Sequence, residues 1–194
     1  MGKIFCIMGK SSSGKDTVYK RLQELVPEIR KITMYTTRPI REGETEGDEY
    51  HFVDVHKLRC MEENGEVIES RTYNTKCGLW TYFTANDGQI DLEKNNYLII
   101  GTLQSFDAMK KYFGKDKIVG IYLEVDDAER LSRALEREKI QKNPKLEEMC
   151  RRFLADQEDF SEENLMEAGI QTRFSNNEIN SCLEKIQKYI RKNM

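Results

Sequence analysis

The spacing of apolar residues changes along the chain in a way that predicts alternating strands and helices. A short apolar run at 3–8, rich in β-branched and aromatic residues, predicts a buried strand. Helical spacing then predicts a helix over 15–25, which Pro27 ends. The same alternation returns after residue 92. Strands are predicted at 97–100, 118–123 and 171–174, and helices at 104–113, 145–163 and 178–192. A further helix is predicted to begin at a cap formed by Asp126 or Asp127 and to end at about residue 141.

The segment between residues 30 and 92 has a different pattern. Short alternating stretches at 50–53, 66–70 and 80–83 are separated by Gly, Asn and Asp turns, with one helix predicted at 55–64. This pattern predicts a small, mostly antiparallel insertion, which we delimit as 33–92. The remaining alternation of strand and helix predicts an α/β fold with a doubly wound parallel sheet, whose ligands bind at the carboxyl ends of its strands.

Composition and charge exclude several classes of protein. The 194 residues suffice for one well-packed domain, and 31 basic against 34 acidic residues argue against a general nucleic-acid binder. The first apolar run is too short for a signal peptide, and no run approaches the ~20 apolar residues of a membrane span. Five scattered cysteines without a C-x-x-C pair fit reduced, structural thiols rather than a disulfide framework or a zinc site. We therefore expect a cytoplasmic protein that binds neither membrane nor nucleic acid.

The most informative motif is the sequence Gly-Lys-Ser-Ser-Ser-Gly-Lys-Asp-Thr at 9–17. It matches G-x-x-x-x-G-K between a predicted strand and a predicted helix, which is the context of a phosphate-binding loop in a P-loop NTPase fold. Glycines let backbone N–H groups wrap a polyphosphate at the positive end of the helix, and Lys15 reaches the outer phosphates. The residues predicted to bind ATP here are Gly9, Ser11, Ser12, Ser13, Gly14, Lys15, Asp16 and Thr17.

Asp16 occupies the place where this motif usually has Ser or Thr. One interpretation is that its carboxylate holds Mg²⁺, directly or through water. The other is an acidic residue in the first turn of a helix, stabilised by the helix dipole by roughly 0.3–1 kcal/mol. A carboxylate beside bound phosphates would repel them unless a metal ion lay between, which favours the first interpretation.

Residues 36–53 contain two arginines, Arg38 and Arg41, among hydroxyl groups, and guanidinium groups grip phosphates bidentately. By itself such a segment is more often a polar hairpin. Here it reads T-T-R-x-x-R-x-G-E-x-x-G-x-x-Y-x-F-V some 25 residues after the loop, which resembles the GMP-binding signature of the guanylate kinase family. The resemblance extends more loosely over the whole chain and implies ATP as phosphoryl donor with Mg²⁺.

The resemblance also implies roles for individual side chains. Glu69 and Thr84 would read the guanine base, and Asn176 would lie beside the adenine of ATP. A helical lid at 128–163 would close over a core formed by 1–32, 93–127 and 164–194. Residues implied to hold the GMP phosphate are Arg38, Arg41, Tyr50 and Tyr82. Those implied to stabilise the transferred group are Arg133, Arg137 and Arg152, which together with Lys15 at the ATP phosphates are the predicted catalytic residues. Independently of the resemblance, the spacing places Arg130, Arg133 and Arg137 on one helix face.

Three departures from the family pattern affect the predicted site. A pair of acidic residues expected near Ile100 and Thr102 is missing, and one of these charges could have moved to Asp16. Met34 replaces a serine that contacts guanine in the family, and Thr33 or Tyr35 could substitute for that serine. Phe83 replaces a glycine and could reshape the base pocket.

These observations predict an ATP-dependent nucleoside monophosphate kinase, with GMP as the acceptor and a monomer or homodimer as the assembly. Met34 and Phe83 leave open a kinase for another nucleoside monophosphate, and the missing acidic pair leaves open another small acceptor. A guanylate-kinase-like binding module without catalysis is a further alternative. Such modules usually lose the loop lysine and the lid arginines, whereas Lys15, Arg133 and Arg137 are present here.

Overall fold

A computed structural model describes residues 1–75 and 78–194. Its strands are β1 (Ile4–Met8), β2 (Ile29–Lys31), β3 (Tyr35–Thr36), β4 (His51–Phe52), β5 (Val67–Thr75), β6 (Gly78–Ala85), β7 (Asn96–Ile100), β8 (Ile118–Glu124) and β9 (Arg173–Ser175). Its helices are α1 (Lys15–Leu25), α2 (Val55–Glu63), α3 (Leu103–Phe113), α4 (Asp127–Lys139), α5 (Leu146–Asp159), α6 (Glu162–Glu167) and α7 (Ile179–Asn193).

The larger sheet has five strands in the order β2-β7-β1-β8-β9, and all of its pairings are parallel. Its central strand β1 is buried along its whole length. Phe5 and Ile7 pack in an apolar cluster with α1 and α7, whereas Ile4, Cys6 and Met8 pack in a second cluster with α3 and α6. Helices therefore cover both faces of a parallel sheet, which confirms the predicted α/β, doubly wound fold.

The smaller sheet is formed by residues 35–85 and has the order β4-β3-β6-β5. Its β3–β6 and β5–β6 pairings are antiparallel, and β3–β4 is parallel. Together with α2 it encloses a separate apolar cluster of Tyr35, Leu58, Met61, Phe83 and Ala85. The mostly antiparallel sheet predicted in this part of the chain is present.

The single helix predicted over 145–163 is wrong, because the chain forms two helices there. α5 ends at Asp159, and Ser161 caps α6 by accepting a hydrogen bond from the backbone N–H of Asn164 at 3.3 Å. Between them Phe160 is buried, with its ring centroid 5.7 Å from that of Tyr122. A serine that satisfies an N–H group at a helix start favours a new helix over a continuous one, and burial of Phe160 fixes the bend.

Two strands were missed in the sequence. β2 and β3 have three and two residues, too few for a periodic pattern, and their pairing with β7 and β6 produces them. Of the cysteines, Cys6, Cys60, Cys150 and Cys182 carry free thiols, and Cys77 lies outside the described residues. Among the described helices, none is long and apolar enough to cross a bilayer.

Candidate active site

A loop with unusual backbone angles connects β1 to α1. Gly9, Ser12 and Gly14 have φ values of 154°, 62° and 86°, and Ser12 is the one non-glycine residue with positive φ in the part of the chain that the structure describes. A side chain at position 14 would place its Cβ 2.6 Å from the amide nitrogen of Asn176, so only glycine fits there. Gly14 precedes α1 without a side-chain cap, which leaves the first N–H groups of the helix available to an anion.

Lys15 lies folded back over this glycine-rich loop (residues 9–15). Its Nζ donates to the carbonyl oxygens of Gly9 at 2.8 Å and of Lys10 at 3.1 Å. Burial lowers the pKa of Lys15, while the carboxylates of Asp16 and Asp156 act in the opposite direction. The lysine charge is therefore held where it is poorly solvated, and a bound anion would stabilise it.

Helix α5 contacts the same loop through Asp156. Its carboxylate accepts a hydrogen bond from the backbone N–H of Ser11 at 2.7 Å and pairs with Arg130 at 3.1 Å. Arg130 is 1 % exposed, donates to the carbonyl of Ser11 at 3.0 Å and pairs with Asp127 at 2.5 Å. The sequence indicated Arg130 only as a member of an arginine-bearing helix face, and nothing in the sequence pointed to Asp156.

Asn176 is buried against the loop on its other side. Its side-chain amide nitrogen donates to the carbonyl of Ser13 at 2.8 Å, and its backbone carbonyl accepts from Arg133 at 3.2 Å. Within the described ranges, the buried hydroxyls of Ser12 and Ser13 find no hydrogen-bond partner. Because buried polar groups are nearly always paired, these hydroxyls have hydrogen-bonding capacity that a ligand in the loop could use.

The other predicted lid arginines are more peripheral. Arg137 is exposed, although its charge reaches Lys15 and contributes to the lowered pKa of that lysine. Arg152 is 58 % exposed and pairs with Glu148 at 2.9 Å. Hydrogen bonds from Arg151 and Arg152 lower the pKa of Glu148 to about 2. In this structure Arg152 is therefore bound to a carboxylate and not to the loop.

A second cluster of polar groups lies on the smaller sheet around Arg38. This arginine is 3 % exposed, and both of its terminal nitrogens bond the carboxylate of Glu44 at 2.7 Å. Its guanidinium lies 5.4 Å from the ring centroid of Tyr50, which in turn lies 5.6 Å from that of Tyr82. Arg41 lies nearby over the ring of Trp80, 6.0 Å from its centroid. The four residues predicted to hold the acceptor phosphate thus belong to one neighbourhood, in which Glu44 pairs with Arg38.

The two residues predicted to read the base are in direct contact. Thr84 donates its hydroxyl to the buried carboxylate of Glu69 at 2.8 Å, across the pairing of β5 with β6. Arg71, which sequence reasoning did not select, pairs with the same carboxylate at 3.0 Å. The sequence could have indicated Arg71 as a site residue, because it follows Glu69 by two positions and alternate residues of a strand share a face.

Asp16 links the two clusters, because its charge acts on both Lys15 and Tyr50. Burial is the main cause of the raised pKa of Tyr50, and the nearby Tyr82 and Asp16 act in the same direction. Asp16 directly follows Lys15 at the start of α1, so the glycine-rich loop and the acceptor cluster lie within electrostatic reach of each other.

Comparison with known proteins decides the family. The sequence model of the guanylate kinase family matches residues 1–193. This chain belongs to that family. Among curated guanylate kinases, the one from Frankia casuarinae is 46 % identical over 63 residues, which are 32 % of this chain and 34 % of the relative. The one from Helicobacter hepaticus is 33 % identical over 115 residues, 58 % of this chain and 56 % of the relative.

Both of these matches are partial. A third relative, from Aromatoleum aromaticum, is 41 % identical, and the match spans 33 % of its length. A crystal structure of guanylate kinase from Anaplasma phagocytophilum is similar in fold, with a TM-score of 0.68 over 98 % of this chain and 85 % of that one. Sequence identity to it is 20 %, so this likeness concerns the fold alone.

The structure resolves two of the departures from the guanylate kinase pattern. Phe83 lies in the apolar cluster of the smaller sheet, stacked on Tyr35 at 5.0 Å, so its side chain does not enter the face that carries Tyr82 and Thr84. Both residues expected to substitute for the missing serine have hydrogen-bond partners other than Glu69 and Thr84. Thr33 donates to the carbonyl of Gly47 at 3.2 Å, and the hydroxyl of Tyr35 bonds Asp87 at 2.5 Å.

Proposed function

We propose that this guanylate kinase family member transfers the γ-phosphoryl group of ATP to GMP, acting in the cytoplasm, where its cysteines stay reduced. One observation carries the proposal: the glycine-rich loop presents Lys15 together with the hydroxyls of Ser12 and Ser13, which have no partner among the described residues, and the adjacent Asp16 lies within electrostatic reach of Tyr50 in the acceptor cluster. Phosphoryl transfer needs two nucleotides held in line and neutralisation of the transferred charge, with little covalent work by the protein.

On the donor side, the backbone N–H groups of the glycine-rich loop would hold the ATP phosphates, and Lys15 would leave its two carbonyl partners to contact them. The unpaired hydroxyls of Ser12 and Ser13 support this assignment. Asn176, which packs against Gly14, would lie at the adenine side. The carboxylate of Asp156 accepts the hydrogen bond of the Ser11 N–H in this structure. We therefore expect this hydrogen bond to be replaced or displaced when ATP binds to the loop.

On the acceptor side, Arg38, Arg41, Tyr50 and Tyr82 would bind the phosphate of GMP. Glu44 already holds Arg38 bidentately, the geometry in which guanidinium groups also bind phosphate. Arg133, Arg137 and Arg152 would neutralise the transferring group. Because Arg137 and Arg152 are exposed, the assignment requires region 128–163 to move over the substrates, as lids of such enzymes do.

The residues present fit Mg²⁺. In the described part of the chain no cluster of three His, Cys, Asp or Glu side chains could hold a metal, and Asp16 makes no hydrogen bond or ion pair there. Magnesium commonly takes one carboxylate, several waters and substrate phosphates, so a single free carboxylate beside the loop is a suitable ligand set. When bound, the ion would neutralise the outer phosphates of ATP.

A coupled assay of ADP release with ATP and Mg²⁺ tests the proposal, with GMP, dGMP, AMP, UMP, CMP and dTMP offered separately. Turnover with guanine nucleotides is the expected result. Turnover with another base alone would keep the mechanism and overturn the acceptor. No turnover with any of them, in a protein that binds GMP, would identify a binding module.

The metal role of Asp16 has its own test. We expect Asp16→Ser to raise the Mg²⁺ concentration needed for half-maximal activity, because the carboxylate is lost from the ion's surroundings. Glu24→Gln, an exposed carboxylate on the same helix, is the matched control and should leave that concentration unchanged. An Asp16→Ser enzyme with the rate and Mg²⁺ dependence of the parent would refute the role.

A further inference from the structure

Arg71 lies on the same sheet face as the residues assigned to the base. In the register of β5 and β6, Glu69 is opposite Thr84 and Arg71 is opposite Tyr82. The side chain of Arg71 is 9 % exposed and that of Glu69 is 4 % exposed. A charged pair this deeply buried beside a ligand site is costly unless its remaining hydrogen-bonding capacity is used.

The guanidinium of Arg71 has unequal partners. Its Nε bonds Glu69 at 3.0 Å and its Nη1 bonds the hydroxyl of Thr102 at 3.2 Å. Its Nη2 has only a long contact of 3.4 Å to Glu69 and one of 4.0 Å to the sulfur of Met34, a weak acceptor. One end of the guanidinium therefore retains donor capacity toward Met34, among the residues described.

Two partners of this arginine, Thr102 and Met34, stand where the chain departs from the family pattern. Thr102 replaces an expected acidic residue, and Met34 replaces an expected serine. A thioether cannot donate a hydrogen bond. The hydroxyl of Thr84 donates to Glu69. Arg71 thus places a donor nitrogen 4.0 Å from the sulfur of Met34, the residue that stands where the family has the serine.

Guanine presents two kinds of group to such a site. A carboxylate can accept hydrogen bonds from the N1–H and the N2 amino group of guanine. The O6 of guanine is an acceptor and needs a donor from the protein. Adenine has an amino group at that place, which would confront the N–H groups of an arginine. We infer that Arg71 donates to O6 of the acceptor base and determines specificity for a 6-oxopurine; the inference rests on the proposed function of this site.

Equilibrium binding without ATP tests this inference independently of catalysis. Isothermal titration calorimetry would measure GMP, 6-thio-GMP and IMP binding to the parent, Arg71→Lys and Arg71→Met. Lysine keeps the charge beside Glu69 but not the planar guanidinium, so we expect a melting temperature near that of the parent and about tenfold weaker GMP binding. Arg59→Met, the loss of an exposed arginine on α2, is the control and should change neither quantity.

The ligand series separates reading of O6 from a structural role. Sulfur is a weaker acceptor than oxygen, so 6-thio-GMP should bind the parent several-fold more weakly than GMP, and this difference should vanish in Arg71→Lys and Arg71→Met. The difference between GMP and IMP, which concerns the amino group facing Glu69, should persist.

If Arg71→Met, which has no donor at this position, keeps the 6-thio difference of the parent, Arg71 does not donate to O6 and the inference is overturned. A parent that binds GMP without turning it over would refute the proposed kinase function, while the ligand series would still decide the role of Arg71. A parent that does not bind GMP would overturn both.

Discussion

The carboxylate of Asp156 lies 2.7 Å from the backbone nitrogen of Ser11, although 145 positions separate the two residues in the chain. Through this contact the C-terminal part of α5 holds the glycine-rich loop. Arg130 completes the arrangement by bonding both the Asp156 carboxylate and the Ser11 carbonyl. The conformation of the loop therefore depends on two helices from outside the strand–loop–helix segment that contains it.

We expect Asp156→Ala to lower the free energy of unfolding by about 3 kcal/mol, because it leaves the buried Arg130 with one carboxylate and the Ser11 N–H without a partner. Asp127→Ala removes the other carboxylate of Arg130, which is 47 % exposed, and should cost clearly less. Urea unfolding of both variants measures the difference. Equal losses would contradict the central role of Asp156.

Replacing Lys15 separates stability from catalysis. Its charge is poorly solvated, since burial lowers its pKa, so Lys15→Met should leave the melting temperature nearly unchanged. Loss of the cation from the transferring phosphate should reduce kcat by about 100-fold or more. Lys20→Met, an exposed lysine on the same helix, should retain parental kcat. A variant at position 15 with parental kcat would exclude a catalytic role for this lysine.

The lowered pKa of Lys15 also predicts proton uptake when ATP binds. Bound phosphates favour the charged lysine and raise its pKa. In alkaline buffer below the ordinary lysine value of 10.5, where unbound Lys15 is partly neutral, binding should take up a fraction of a proton. Calorimetry in buffers of different ionisation enthalpy measures the uptake, which should be smaller in Lys15→Met. Uptake of equal size in that variant would assign it to another group.

The pair of Arg38 and Glu44 predicts acid sensitivity of the smaller sheet. The hydrogen bond from Arg38 is the main cause that lowers the pKa of Glu44 below its ordinary 4.5. The ionised carboxylate therefore stabilises the fold above about pH 4.5, and this contribution is lost as pH falls through the lowered pKa. Glu44→Gln should cost on the order of 1–3 kcal/mol of unfolding free energy at neutral pH. The difference in unfolding free energy between variant and parent should disappear at acidic pH.

Comparing urea unfolding at neutral and acidic pH checks this prediction. Glu42→Gln, an exposed glutamate two residues earlier, is the matched control and should follow the parent at both pH values. A gap for Glu44→Gln that stays constant from neutral to acidic pH would show that the carboxylate is not the titrating group.

Features that depend on neighbours in the chain were readable from the sequence. The apolar run of β1, the glycines of the loop and the helical spacing of α1 predicted the strand–loop–helix segment, and α1 has the predicted bounds 15–25. Arg38 and Glu44 are likewise only six residues apart. Glu69 and Thr84 were found through the family pattern, and the antiparallel pairing of β5 with β6 brings them into contact.

Other features depended on which distant side chains pack together. The division of 145–163 into two helices follows from burial of Phe160, and the pairing of Arg152 with Glu148 leaves that predicted catalytic residue exposed. Arg71 meets Thr102 across 31 residues, and Asp156 meets Ser11 across 145. Apolar periodicity shows which residues become buried, but a charged residue can satisfy its hydrogen bonds with many partners. Only the packing of the helices and the two sheets selects one of them.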